Sequence, residues 1–163
     1  MNAPARRGRR ALKLGAAAAL AGALTVGTAA AQSGNIAAVP ERGLTFGPII
    51  PGVPEVVSVR DAARRAEVVL VGEGSADVLL VLPRALVSRT GGTIPLSFGV
   101  DDGALVATPS GGLTPLDPLH ATRVHLTGAA MRLLLGGTAT PSREQPAGEY
   151  TTTIVVIISH AGT

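Results

Sequence analysis

From Tyr150 to Ser159 the chain runs through ten residues without a charge, a proline or a glycine, and eight of the ten are β-branched. Two heavy substituents on Cβ restrict χ1 against a preceding helical turn but pack well on a pleated surface, so this run is a strand. In a strand, alternate residues share a face. Tyr150, Thr152, Ile154, Val156 and Ile158 fall on one side, and Thr151, Thr153, Val155, Ile157 and Ser159 on the other. Both sides become apolar towards the C-terminal end, whereas an antiparallel strand with one wet face is apolar on one side only. As a bare edge the segment would invite aggregation. It is therefore either a central strand covered within the domain or an edge that a strand from another chain completes.

The rest of the chain beyond residue 31 has the same character. Apolar residues come in short runs broken by Gly and Pro, and helical periodicity is poor throughout. Residues 53–60 hold Val56, Val57 and Val59 and read as a short strand. Residues 66–72 and 77–82 are two β-rich runs around Glu73-Gly74-Ser75-Ala76, the spacing of a hairpin. Residues 93–100 and 104–107 flank Asp101-Asp102-Gly103, a second hairpin cue. Residues 122–126 and 131–139 form a third candidate pair around Thr127-Gly128, while 108–118 and 141–148 read as loops. About eight short strands with regular turn signals predict a sandwich or barrel. Val69, Leu80, Ile154 and Val156 are expected in its core.

The N-terminus has a different design. Arg6, Arg7, Arg9, Arg10 and Lys13 precede an apolar stretch over 14–26, and Ala29-Ala30-Ala31 supplies small residues at both positions of an A-x-A site. Residues 1–31 thus read as a cleavable signal peptide, with a mature N-terminus at Gln32. The apolar stretch is short for a membrane span, which needs roughly 20 residues. Arg9-Arg10 leaves export by the twin-arginine route open beside the general one. Without the leader the chain keeps nine Arg, no Lys and eleven acidic residues, a net charge of −2. The basic balance of the whole chain belongs to the leader, and with three aromatics in all it gives no support to nucleic-acid binding. Residues 32–43 form a weakly patterned N-terminal arm, and residues 44–163 the β-domain.

No segment carries recognisable chemistry. His120 and His125 stand five apart, on opposite faces of a strand, His160 is isolated, and no Cys exists to complete a zinc site. Asp101-Asp102 before a Gly is better explained as a turn. Ser75 lacks the G-x-S-x-G spacing of a nucleophile elbow. Gly91-Gly92, Gly111-Gly112 and Gly136-Gly137 are not followed by the Lys-Ser or Lys-Thr of a phosphate loop, and read as turns or bends. Catalytic, cofactor-binding and metal residues are all expected to be none, and the chain is read as a non-enzyme without cofactors.

Four ordered segments resemble an exported bacterial family, the domain-of-unknown-function 4402 family. Leu44-Thr45-Phe46-Gly47 with Pro51-Gly52 resembles its opening L-x-F-G … P-G. Residues 66–72 followed by 77–83 resemble its paired strands ending in L-P. Leu126-Thr127-Gly128 with Leu134-Leu135-Gly136-Gly137-Thr138 resembles its G … V-G-G-T segment. Gln145-Pro146-Ala147-Gly148-Glu149-Tyr150-Thr151 resembles its Q-x-x-G-x-Y-x-G-T ending. The family is similar in outline to spore-coat-U-like and pilin-like subunits. The resemblance implies an immunoglobulin-like antiparallel β-sandwich with a structural or adhesive role in the periplasm, at the cell surface or outside the cell. It implies assembly with a protein partner or with itself through strand complementation, and no catalytic residues. A monomeric periplasmic or secreted binding module is the alternative. The expected donor to the edge of the Tyr150–Ser159 strand is the 32–43 arm of a neighbouring copy, through Ile36 and Val39; the competing expectation is that the same arm, or a strand inside the domain, covers that edge in cis.

Overall fold

The structure, a computed structural model, describes residues 20–28, 36–108 and 111–160. Fourteen strands lie among them and no helix does. In chain order they are β1 (Leu20–Thr28), β2 (Ala37–Arg42), β3 (Thr45–Ile49), β4 (Glu55–Val57), β5 (Ala66–Val71), β6 (Glu73–Val81) and β7 (Ala85–Ser88). They continue with β8 (Thr93–Ser97), β9 (Gly103–Ala107), β10 (Leu113–Leu116), β11 (Thr122–Thr127), β12 (Met131–Leu135), β13 (Gly137–Ala139) and β14 (Glu149–His160). They form two sheets. One has the order β11-β6-β14-β7-β8-β13-β4, with β1 on β14 and β3 on β1; the other has the order β10-β9-β12-β5-β2. Every ladder is antiparallel except that between β1 and β14. The molecule is a β-sandwich.

The inner faces of the two sheets meet in a core of aliphatic side chains, with Phe46 and Tyr150 as its buried aromatics. Leu80, Ile154 and Val156 are in it, as expected. Val69 is not: Val68 and Leu70 of β5 face the core, and Val69 is half-buried on the outer side. Both faces of β5 carry valines, so its alternation has no phase by itself. Glu67 shares the outer face with Val69, and its carboxylate is held there by Arg132 of β12 at 2.5 Å, with Arg65 and Arg42 at 3.7 and 3.9 Å.

The three expected hairpins are not formed. Residues 66–71 and 73–81 enter opposite sheets, β5 pairing with β12 and β2, and β6 with β11 and β14. Gly72 and Gly74 make the crossing with φ of 134° and 105°. Likewise β8 and β9 part at Gly99–Asp102, where the amide of Gly99 donates to Asp102 Oδ2 at 2.7 Å. The third pair, β11 and β12, parts after Thr127-Gly128, and the expected strand over 131–139 is itself two. β12 lies in the smaller sheet and β13 in the larger, with the bend at Gly136. A Cβ there would stand 2.2 Å from the carbonyl oxygen of Val57, so the close approach of two backbones requires glycine. The turns at 101–103 and 127–128 fall close to where they were expected, but residues 73–76, expected as the first turn, lie inside β6 and the chain crosses at Gly72; in all three cases the next strand joins the other sheet. Two hairpins the sequence left unclaimed do form: β9 to β10, whose second strand lies in the expected loop over 108–118, and β7 to β8, closed by Ser88, whose Oγ accepts from the Gly92 amide at 2.9 Å.

Candidate functional site

The Tyr150–Ser159 run lies in β14, with the faces expected. Tyr150, Ile154 and Val156 are buried, Thr152 and Ile158 half-buried, and Thr151, Thr153 and Ser159 exposed. Its two edges are filled by different means. β6 pairs with residues 155–160 and β7 with Tyr150 and Thr151. β1 pairs in parallel with residues 149–156, overlapping both. Since one edge cannot hold two strands at the same residues, β6 and β7 lie end to end along one edge of β14 and β1 along the other. Among the described residues, no strand from within 44–160 pairs with that second edge.

On its far side β1 pairs with β3, Leu20 opposite Ile49 and Ala21 opposite Pro48, with a bulge between Gly22 and Ala23. β3 has no other ladder partner. It is held by its side chains, Phe46 and Ile49 being buried in the core, and by the Thr45 amide donating to the Arg64 carbonyl at 2.9 Å. The domain thus contains a slot one strand wide between β3 and β14, about 9–10 Å across from the usual strand spacing. Residues 20–28 fill it.

The ends of the slot are built firmly. Where β14 begins, the Tyr150 hydroxyl donates to the Pro146 carbonyl at 2.8 Å and accepts from Gln145 Nε2 at 2.8 Å. Gln145 Oε1 in turn accepts from the Ser142 amide at 3.2 Å. Residues 141–148 are a loop as expected, and this chain of bonds ties the loop to the first residues of β14. Where β3 ends, the Gly52 amide donates to the Ser142 carbonyl at 2.9 Å, so the Pro51-Gly52 turn docks on the same loop. Gly92 fits against the Tyr150 ring, with 2.7 Å between a Cβ there and the hydroxyl. Near the start of β3, Arg64 bonds Asp61 at 2.7 Å and Glu55 at 2.5 Å. The Arg64 guanidinium and two backbone amides hold the Asp61 carboxyl below the usual aspartate range.

Outside the slot, Val155 and Ile157 of β14 stand opposite Val81 and Leu79 of β6 on the outer face of the larger sheet. Leu79 and Val81 are exposed, and so is Val87 of β7. The apolar outer end of β14 noted in the sequence is therefore part of a surface patch beside the slot.

The arm takes a different place from the one expected of a donor. Ala37–Arg42 is strand β2, antiparallel to β5 at the edge of the smaller sheet, with Ile36 buried and Val39 exposed. This is coverage in cis, and of β5 rather than β14. Pro40 suits such a position, since an edge strand tolerates one missing donor. Residues 32–35 lie outside the described residues, as do residues 1–19 and 29–31 of the expected leader.

The polar residues weighed in the sequence do not converge. His125 Nδ1 lies 3.2 Å from Ser75 Oγ across β11 and β6 on an exposed face, and His120 Nδ1 lies 2.7 Å from Asp117 Oδ2 in a separate turn. His160 is the last residue of β14. Among the described residues no group of three or more His, Asp or Glu is placed to hold a metal ion, and no helix is long and apolar enough to cross a membrane. No known family model matches the chain, and no curated protein matches it either.

Proposed function

We propose that this chain is an exported structural or adhesive domain of the periplasm or cell surface, immunoglobulin-like in architecture, that works by strand-mediated assembly. The observation that carries the reading is the slot between β3 and β14, an edge of the most aggregation-prone strand that residues 44–160 leave to a strand from outside. An edge of this kind offers a full row of backbone donors and acceptors, which give affinity, and alternating side-chain positions, which give register. The exposed Leu79, Val81 and Val87 extend the contact beyond the ladder. Tyr150, bonded back to Pro146 at the start of its strand, has the geometry of a tyrosine corner and supports the immunoglobulin-like reading. The leader pattern of residues 1–31 supports export. The reading contains no catalytic step, cofactor or metal.

The alternative, a monomeric binding module, draws on one observation: slot and β5 edge are both filled in cis, by β1 and β2. Exported protein separates the two. Its N-terminal sequence is expected to begin at Gln32, and its elution on size exclusion to shift to larger species as concentration rises. A monomer at every concentration that captures no strand would establish the alternative instead.

A further inference from the structure

We infer that residues 20–28 are a resident plug of the assembly slot, and that hydrolysis after Ala31 is the event that opens it. This rests on the assembly reading above and adds the identity of the first occupant and the trigger for its release. The register shows how the plug sits. Gly22, Leu24, Val26 and Thr28 stand opposite Tyr150, Thr152, Ile154 and Val156, the core-facing series of β14. Ala21, Ala23, Thr25 and Gly27 stand opposite the outer series, Glu149, Thr151, Thr153 and Val155. The stretch that reads in sequence as the apolar heart of a leader thus places Leu24 and Val26 at inner register positions and Ala21, Ala23 and Gly27 at outer ones.

The topology separates this strand from the domain it completes. All other ladders are antiparallel, while β1 runs parallel to β14 and continues to β2 in the opposite sheet. The Ala31–Gln32 bond falls between Thr28, where β1 ends, and Ala37, where β2 begins. A leader peptidase hydrolysing that amide adds water across it, leaving a carboxylate on Ala31 and an amine on Gln32. No strand is cut. Before cleavage the tether presents β1 to the slot at an effective concentration on the order of millimolar; afterwards the plug is held only by its intrinsic affinity and can be displaced. The slot is thus filled while the chain is a precursor and becomes available when it matures, and the edge of β14 is shielded from premature pairing.

The test uses the full chain carrying a site-specific protease sequence inserted within residues 29–35. Cut and uncut protein are each unfolded in denaturant and refolded with a labelled peptide of residues 20–28 at micromolar concentration, so that slow exchange cannot hide binding. The cut chain is expected to retain the peptide one to one, and the uncut chain about 100-fold less, given its tethered competitor. A peptide with Val26→Asp is expected not to bind. Freed of its plug, the cut chain is expected to form oligomers that the peptide dissolves. No retention by the cut chain, or equal retention by both, overturns the plug. Oligomers that the peptide leaves intact overturn the plug while preserving assembly. One-to-one capture without oligomers at any concentration preserves the plug and overturns the assembly reading.

Discussion

Ile154 and Leu80 sit in the seam where β14 faces the smaller sheet, beside Val68, Leu133 and Leu135. Cutting either to alanine removes apolar contacts and leaves a hole that a sandwich cannot readily close. Ile154→Ala and Leu80→Ala are each expected to cost about 2–4 kcal/mol in equilibrium denaturation. Val69→Ala is expected to cost less than either, about 1 kcal/mol, because its side chain lies on the outer face and is only partly buried. Equal losses at all three positions would show that the face of β5 is misassigned. The contrast also marks what was legible at this scale. In β14 the threonines and Tyr150 break the symmetry between faces, so the core series could be read directly. In β5 both faces are aliphatic, and the one phase marker was Glu67, whose partner Arg132 is 65 residues away in sequence. A charge that lies on an outer face because a distant guanidinium meets it is invisible to alternation.

At the level of elements, glycine and proline marked some strand ends but not the destinations of the strands that followed, and Pro40, Pro48, Pro95 and Pro115 lie within strands. Residues 73–76, 101–103 and 127–128 were each read as the turn of a hairpin, and at or beside each the chain instead passes from one sheet to the other, at Gly72 in the first case. Local sequence specifies that the backbone reverses; whether the next strand pairs beside its predecessor or across the core depends on which edges remain open, a property of the whole sheet. Gly136 shows the same point within residues 131–139, where Gly136-Gly137 was read as a bend but not as the place where the chain changes sheets. Gly136→Ala is expected to destabilise the domain by roughly 1–3 kcal/mol, since the new methyl would meet the Val57 carbonyl and force the β12–β13 bend apart. Thermal denaturation would check it; an unchanged midpoint would mean that the two backbones are not in close approach. The candidate site was half legible for a related reason. The composition of β14 announced a strand needing cover on both sides. Nothing in the spacing of β3 or of residues 20–28 announced that these three segments would be neighbours, because small residues in an apolar N-terminal stretch read as a leader first.

For the molecule as a whole, the proposed function stands or falls on whether the edge of β14 that faces β3 receives another strand. Completing an edge protects its amides, because a backbone N–H in a ladder exchanges with solvent only when the ladder opens. Native-state hydrogen exchange therefore reads the slot directly. In the full chain the amides of residues 149–156 that point towards β1 are expected to be protected along with those that point towards β6 and β7. In a chain beginning at Gln32, held dilute, the β1-facing amides are expected to exchange fast while the β6- and β7-facing amides stay protected, and protection is expected to return as the concentration is raised and the chain assembles. If both sets remain equally protected in the dilute Gln32 chain, some other part of the domain covers that edge, and the claim that β14 receives a partner strand is contradicted.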